Sequence, residues 1–485
     1  MNYLDIFKRL NAIPRPSHHE ERVADYLCLF AEAHGLEWQR DDHDCVVIRK
    51  PASPGYEAHD PVVILNHMDM VCVAGQGVDF DPLRDGIQAY TETVDGRLWM
   101  KARGTSLGAD NGIGLSMALA ILADESLQHP PLEVLTTTNE EDGMTGAANL
   151  SPDFIRGRRV INLDSEAYDE ITVGAAGALI QNAELPLSKI AMPRDYTACA
   201  VTVGGGRGGH SGVDIAKGRA NAIKVLANLL LVAIRQCNIK LYLVSFNGGQ
   251  AAASIPSSAE AKIVIPTADR AAFETLVGQC GDALRGRFSV SDPDVSVAAS
   301  PSVWHGSVLS EESTHLLLAS INAVPVGPTQ MRTDRADIPL TSNNIGVVRQ
   351  GKESFLVTFH TRSFSDAEME HLAGEIRKIF QLSGATVTEV MKAPAWEEDM
   401  TADGDGGTNL VELTCQTFLD VLGFEPRRVS MHFVLEAGYF VRKFPGIHIA
   451  SIGPRIIEPH STGERLDVET ADDIWRVTVE LLKRL

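Results

Sequence analysis

No stretch of this chain is apolar for long enough to cross a bilayer. The opening MNYLDIFKRLNAIPRPSHHEE has no apolar core of the kind a secretory signal carries. Cysteine is scarce. The seven residues Cys28, Cys45, Cys72, Cys199, Cys237, Cys280 and Cys415 are scattered, with no CxxC pair. Neither a disulfide framework nor a thiolate zinc site is therefore expected. Most of the seven sit in apolar surroundings and read as small buried hydrophobes. Together these absences point to a reduced, cytoplasmic setting. Positive charge is also in deficit, with 43 Lys and Arg against 64 Asp and Glu, a net charge of -21. That argues against nucleic acid or an anionic membrane as a partner. The Gly-rich loop at 104–114 lacks Gly-Lys-Ser/Thr, so a phosphate cradle is excluded. There are no internal repeats and no low-complexity tracts.

What is present is a long globular chain. Its 485 residues exceed one ordinary core, so two or three domains are expected. Hydrophobic residues make up 44% and charged residues 22%, within the soluble globular range. The organising stretch is Val62-Val63-Ile64-Leu65-Asn66-His67-Met68-Asp69-Met70. A β-branched apolar run predicts a strand buried on both faces, as in parallel sheets. Side chains at the carboxyl end of such a strand face the crevice where α/β proteins bind ligands. His67 there can ligate a metal through one ring nitrogen while Asp69 holds the other.

Ser17-His18-His19-Glu20 reads as a capping box, opening a helix that ends at Gly35. This makes His18 and His19 first-turn surface residues. Gly108-Ala109-Asp110-Asn111-Gly112 opens a helix of small and apolar residues, where Asp110 by itself reads as a cap. The strand 132–138 ends in Asn139-Glu140-Glu141-Asp142-Gly143, and the strand 160–163 ends in Asp164-Ser165-Glu166. Acids that follow buried strands are costly unless a cation sits nearby. Strands alternating with helices imply a parallel, doubly wound sheet.

From about residue 191 the texture changes. A strand at 197–203 leads into Gly204-Gly205-Gly206-Arg207-Gly208-Gly209-His210-Ser211-Gly212, which reads as a mobile turn. A helix follows at 219–237, and then a strand at 239–246 ending in Asn247-Gly248-Gly249. Segments 345–348 and 355–362 read as antiparallel partners, with Arg362 as an exposed strand-end residue. Ser365-Asp366-Ala367-Glu368 is a second capping box. This region reads as an α+β domain inserted into the first. The divisions predicted are 1–186 and 387–485 for the catalytic domain, and 187–386 for the insert. Residues 394–407 form a Gly/Asp-rich connection. A strand at 447–452 then precedes Glu458-Pro459-His460-Ser461.

His67, Asp69, Asp110, Glu140, Glu141, Asp164 and His460 together supply the parts of a two-metal hydrolase. Nitrogen and oxygen donors without thiolate suit zinc, cobalt or manganese. Two divalent ions bring four positive charges. Three ligating carboxylates and a bridging hydroxide balance them, which leaves one carboxylate as a base.

The order and spacing of His67-Met68-Asp69, Gly108 to Gly112, Glu140-Glu141, Asp164, Gly209-His210-Ser211-Gly212 and Pro459-His460-Ser461 resemble the aminoacylase/carboxypeptidase-type dinuclear metallopeptidases. Lys101-Ala102-Arg103-Gly104-Thr105, Asn139 to Met144, Phe246-Asn247-Gly248-Gly249 and Ser451-Ile452-Gly453-Pro454 resemble one branch, the aminoacyl-histidine dipeptidases. The resemblance spans nearly the whole chain. It implies an α/β fold, a doubly wound mixed sheet with an inserted α+β lid that also dimerises. It implies hydrolysis of Xaa-His dipeptides by a metal-bridging hydroxide, with two divalent ions per chain, in a homodimer acting on small peptides. By the same resemblance Asp110 bridges both metals. His67 and Asp164 complete one site, and Glu141 and His460 the other. Asp69 orients His67, and Glu140 is the general base. His210 polarises the scissile carbonyl, Arg362 clamps the substrate carboxylate, and Asn247 and Glu436 bind substrate. A cis peptide is implied at Asp110-Asn111.

Three residues depart from the pattern. Phe433 and Val434 replace smaller residues in Met431-His432-Phe433-Val434-Leu435-Glu436-Ala437-Gly438, and Asn66 is larger than usual. The first two put strict Xaa-His preference in doubt. A deacylase or tripeptidase on the same scaffold is the nearest alternative. A non-catalytic binding protein is a more distant one, since every ligand position and Glu140 are present.

Overall fold

A computed structural model of the protein describes residues 2–397 and 409–485. The connection read at 394–407 lies, from residue 398 on, outside the described residues. The chain forms two compact units. One comprises Met1–Gly174, Trp396–Ser430 and Glu436–Leu485. The other comprises Ala175–Ala395 and Met431–Leu435.

The first unit is built on an eight-stranded sheet. Its order is Glu37–Arg40, Val46–Lys50, Leu132–Thr137, Val62–His67, Arg159–Asn162, His448–Ser451, Glu170–Ala175, Arg427–Met431. Its centre is parallel and it becomes antiparallel at Val46–Lys50 and Glu170–Ala175, so the sheet is mixed. All six residues of Val62–His67 are buried, as an apolar run flanked by two parallel neighbours requires. The helix Ala109–Ala123 buries nearly every residue, which fits a sequence apolar all round. Leu410–Leu422 and Val468–Arg484 join it in one core with the sheet.

The second unit carries a nine-stranded sheet in which Pro339–Gln350 pairs antiparallel with Ser354–Ser363, as expected. Its core also includes Ala222–Arg235 and Asp366–Leu382. Ser365 caps the latter through its side chain, in line with the capping-box reading. The units divide at 174/175 and 395/396, not at 186/187 and 386/387. The reason is strand pairing: Gly177–Pro186 lies between Ser354–Ser363 and Thr386–Ala393, so both flanking strands belong to the second sheet.

The first capping box does not form. The helix starts at Glu21, and its N-cap residue Glu20 makes no side-chain cap bond. Ser17 Oγ instead donates to Asp69 Oδ2 at 2.7 Å, and Glu20 Oε1 accepts from Asn139 N at 2.8 Å. Buried tertiary partners outcompete a helix terminus that water can satisfy.

Candidate active site

Parallel register brings the acidic strand ends to one edge. His67 is paired with Thr137, Leu65 with Asn162, and Ser451 with Asn162. The backbone then continues in step: Met68 N donates to Thr137 O, Leu163 N to Leu65 O, and Ile452 N to Asn162 O. Residues 67–69, 139–141 and 164, and the chain toward His460, therefore leave the sheet at the same side. Asp110 arrives from the helix start, where Asp110 and Asn111 depart from helical φ/ψ and their peptide bond is cis.

Asp110 stands between the two histidines. Its Oδ1 is 3.0 Å from His67 Nε2 and its Oδ2 is 3.0 Å from His460 Nε2. Asp164 Oδ1 lies 3.3 Å from His67 Nε2, and Glu141 Oε2 lies 2.9 Å from His460 Nε2. Asp69 is fully buried. Its Oδ1 is 3.4 Å from His67 Nδ1 and accepts from Glu140 N at 3.0 Å. Its Oδ2 accepts from Glu141 N at 3.2 Å. Glu436, 1% exposed, accepts from Thr137 Oγ1 at 2.8 Å on the same sheet edge. Burial first, then the charge of Asp164, pushes its carboxyl up to about 8.

One further acid joins the cluster. Ligating atoms of Asp110, Glu166 and His460 lie within 4.8 Å of one another, as do those of His67, Asp110 and Glu141. The sequence showed Glu166 only as the last acid of a strand end. Its reach toward Asp110 depends on how residues 164–166 turn.

These donors fit divalent cations. Burial, and then neighbouring carboxylates, raises Glu140 well above the usual range. Glu141 and Asp164 are raised mainly by burial, and Glu166 is pushed up to about 8. His460 is pushed up to about 11 by its hydrogen bonds to Asp110 and Glu141. Burial opposes a charge on His67, but the facing carboxylates outweigh it and raise the imidazole. Carboxylates crowded and buried in this way call for neutralising positive charge. The buried Glu141 Oε1 has no hydrogen-bond partner. Carboxylates and imidazoles without thiolate are the donor set of a hydrolytic two-metal centre.

The remaining predicted residues lie in the second unit. The segment of His210 is not a free turn. It bridges to Ser254, Ser211 N donates to Ala253 O, and His210 N donates to Asp214 Oδ2. His210 Nδ1 accepts from Gly212 N and Val213 N at 3.2 and 3.3 Å. A neutral ring that accepts at Nδ1 carries its proton on Nε2. Burial, then the charge of Arg362, holds it below its ordinary pKa. Phe433 packs edge-on against the His210 ring. Arg362 is 3% exposed, contrary to the expected solvated residue, because its strand lies inside the sheet. Its Nε donates to Ser211 Oγ at a long 3.4 Å, and burial pulls the guanidinium down to about 10. Asn247 Oδ1 accepts from Gln350 N at 3.1 Å, bracing its own sheet.

Comparison with known proteins shows similarity over the length of the chain. The model for peptidase family M20/M25/M40 matches residues 63–484. The cytosol non-specific dipeptidase of Escherichia coli K12 is 33% identical over 99% of this chain and 97% of its own. The crystal structure of an aminoacylhistidine dipeptidase from Vibrio alginolyticus superimposes with a TM-score of 0.90. It is 31% identical, covering 100% of this chain and 96% of that one. An aminopeptidase, PepT, from Bacillus cereus shares the fold alone, at a TM-score of 0.56 and 18% identity over 99% and 97% of the two chains. The chain belongs to peptidase family M20/M25/M40.

Proposed function

We propose that the protein is a metal-dependent dipeptidase that hydrolyses free dipeptides, Xaa-His among them, in the cytoplasm, and that it works as a homodimer. The observation that carries this reading is Asp110, with one carboxylate oxygen 3.0 Å from each of two histidines. Asp110 would serve two divalent ions. His67 and Asp164 would hold one, and Glu141 and His460 the other. Zinc is the best match to this donor set, with cobalt or manganese as alternatives. Such ions supply Lewis acidity and lower the pKa of water.

The chain's own residues do the rest. Glu140 is half-buried beside the cluster, with its backbone N–H held by Asp69. In this reading it takes a proton from the attacking water and delivers it to the leaving amine. Asp69 fixes the His67 tautomer through Nδ1. His210, with its proton on Nε2, donates to the developing oxyanion. His210→Ala should lower kcat about 10²–10³-fold with metal content unchanged. Steady-state kinetics paired with elemental analysis checks this, and a normal kcat removes His210 from the reaction.

Arg362 is a buried cation whose polar neighbours are neutral: His432 is pushed down to about 3 by burial, and His360 falls well below its ordinary value. Such a guanidinium suits a carboxylate ligand, and in this reading it recognises the free C-terminus of a dipeptide. Arg362→Ala should cost on the order of 2–5 kcal/mol in substrate binding, seen as a raised KM. The wild type should cleave C-terminally amidated dipeptides poorly. Equal rates on free and amidated dipeptides would overturn the clamp. The reading as a whole is tested by metal analysis of the purified protein coupled to hydrolysis of a dipeptide panel.

A further inference from the structure

Arg15 is the unexplained charge near the metal cluster. It is 1% exposed. Nη1 donates to Met68 O at 3.2 Å and Asp69 O at 3.0 Å, while Nη2 donates to Gly108 O at 2.6 Å and, weakly, to Asn11 Oδ1 at 3.5 Å. A guanidinium gives up strong hydration on burial, and hydrogen bonds to three carbonyls return part of that cost. The slot is shaped for it. A Cβ on Gly108 would stand 2.6 Å from Nη2, and one on Gly112 would stand 2.5 Å away. The two glycines flanking Asp110 thus make room for a side chain about a hundred residues earlier.

The backbone around Arg15 repeats the pattern. Met70 N donates to Arg15 O, Asn11 Nδ2 to Leu107 O, and Ser17 Oγ to Asp69 Oδ2, while Asn139 N donates to Glu20. Residues 11–20 therefore tie together the three segments that carry His67, Asp110 and Glu141. The family match begins at residue 63, so it does not include this segment.

We propose that Arg15 is a positioning residue for the metal centre: its buried fork locks the backbone of Met68 and Asp69, directly after His67, to the backbone entering Asp110, and so sets how tightly divalent ions are held. The inference rests on the two-metal reading above. Two effects oppose each other. As a cation Arg15 repels the ions, and as a fork it preorganises their ligands. Its hydrogen bonds reach both segments directly, so preorganisation wins.

The test is the affinity of the whole protein for Zn²⁺ alone, measured by competition with a chromophoric chelator. It is run at a temperature where circular dichroism shows every variant folded. Arg15→Met should weaken Zn²⁺ binding about ten-fold or more, the scale seen when support behind a metal ligand is lost. A merely structural role would lower the unfolding midpoint of the metal-free protein and leave this affinity unmoved. Unchanged or tighter binding by Arg15→Met overturns the proposal. Should that variant not fold, Arg15→Lys, which keeps the charge but loses the fork, decides by the same criterion. Failure of both to fold also overturns it, by assigning the guanidinium to the fold. If the wild type binds none of Zn²⁺, Co²⁺ and Mn²⁺, the two-metal reading itself fails, and the role proposed for Arg15 falls with it.

Discussion

Asp110→Ala is expected to lose both metal ions, and with them all measurable dipeptide hydrolysis. The carboxylate offers Oδ1 toward His67 and Oδ2 toward His460, each at 3.0 Å, so one substitution removes a donor from both halves of the cluster. Each half then keeps one imidazole and one carboxylate, His67 with Asp164 and His460 with Glu141. Two donors are fewer than the three protein ligands of catalytic zinc sites. The remaining anions also lose the cations that made their burial tolerable. His67→Ala or His460→Ala removes a donor from only one half and should leave part of the metal bound. Elemental analysis after dialysis distinguishes these cases. Full metal content in the Asp110 variant would remove it as the shared ligand.

Glu140→Gln is expected to keep both ions and lose about 10²–10⁴-fold in kcat, the usual contribution of a general base. Glu140 and Glu141 are adjacent, and Asp69 binds both of their main-chain N–H groups. Their side chains nevertheless part. Glu141 approaches His460 at 2.9 Å, whereas among the described residues no ion pair joins Glu140 to either histidine. Desolvation raises the affinity of Glu140 for a proton, opposed by the charge of His67 and assisted by Asp164, Glu436 and Glu141. That is the condition of a base prepared to take a proton and pass it on. Glutamine keeps the shape and removes this capacity. A variant with normal metal content and near-normal kcat would dismiss Glu140 as the base. Loss of metal would make it a ligand.

Several features of the protein were decided by the sequence alone, because their causes are local. The run Val62 to Leu65 reads as a strand buried on both faces, with a His and an Asp at its carboxyl end, and all six residues of Val62–His67 are buried. Ser365 and Glu368 start a helix three positions apart, a distance the chain spans without help. Asp110, Glu141 and His460, by contrast, come together only in the fold: parallel register aligns the strand ends, Asp110 enters from a helix start, and their individual roles were legible only through resemblance to a family. Tertiary structure alone decided where Ser17 and Glu20 turn. The same capping pattern that works at Ser365 fails there, since Asp69 and the Asn139 N–H are nearer and drier partners. It alone buried Arg362, which as a strand-end arginine read as exposed. It alone placed Arg15 in the slot between Gly108 and Gly112. A side chain's hydrogen-bond partners are chosen by competition across the folded molecule, and nothing in the sequence next to a buried guanidinium states which carbonyls will surround it.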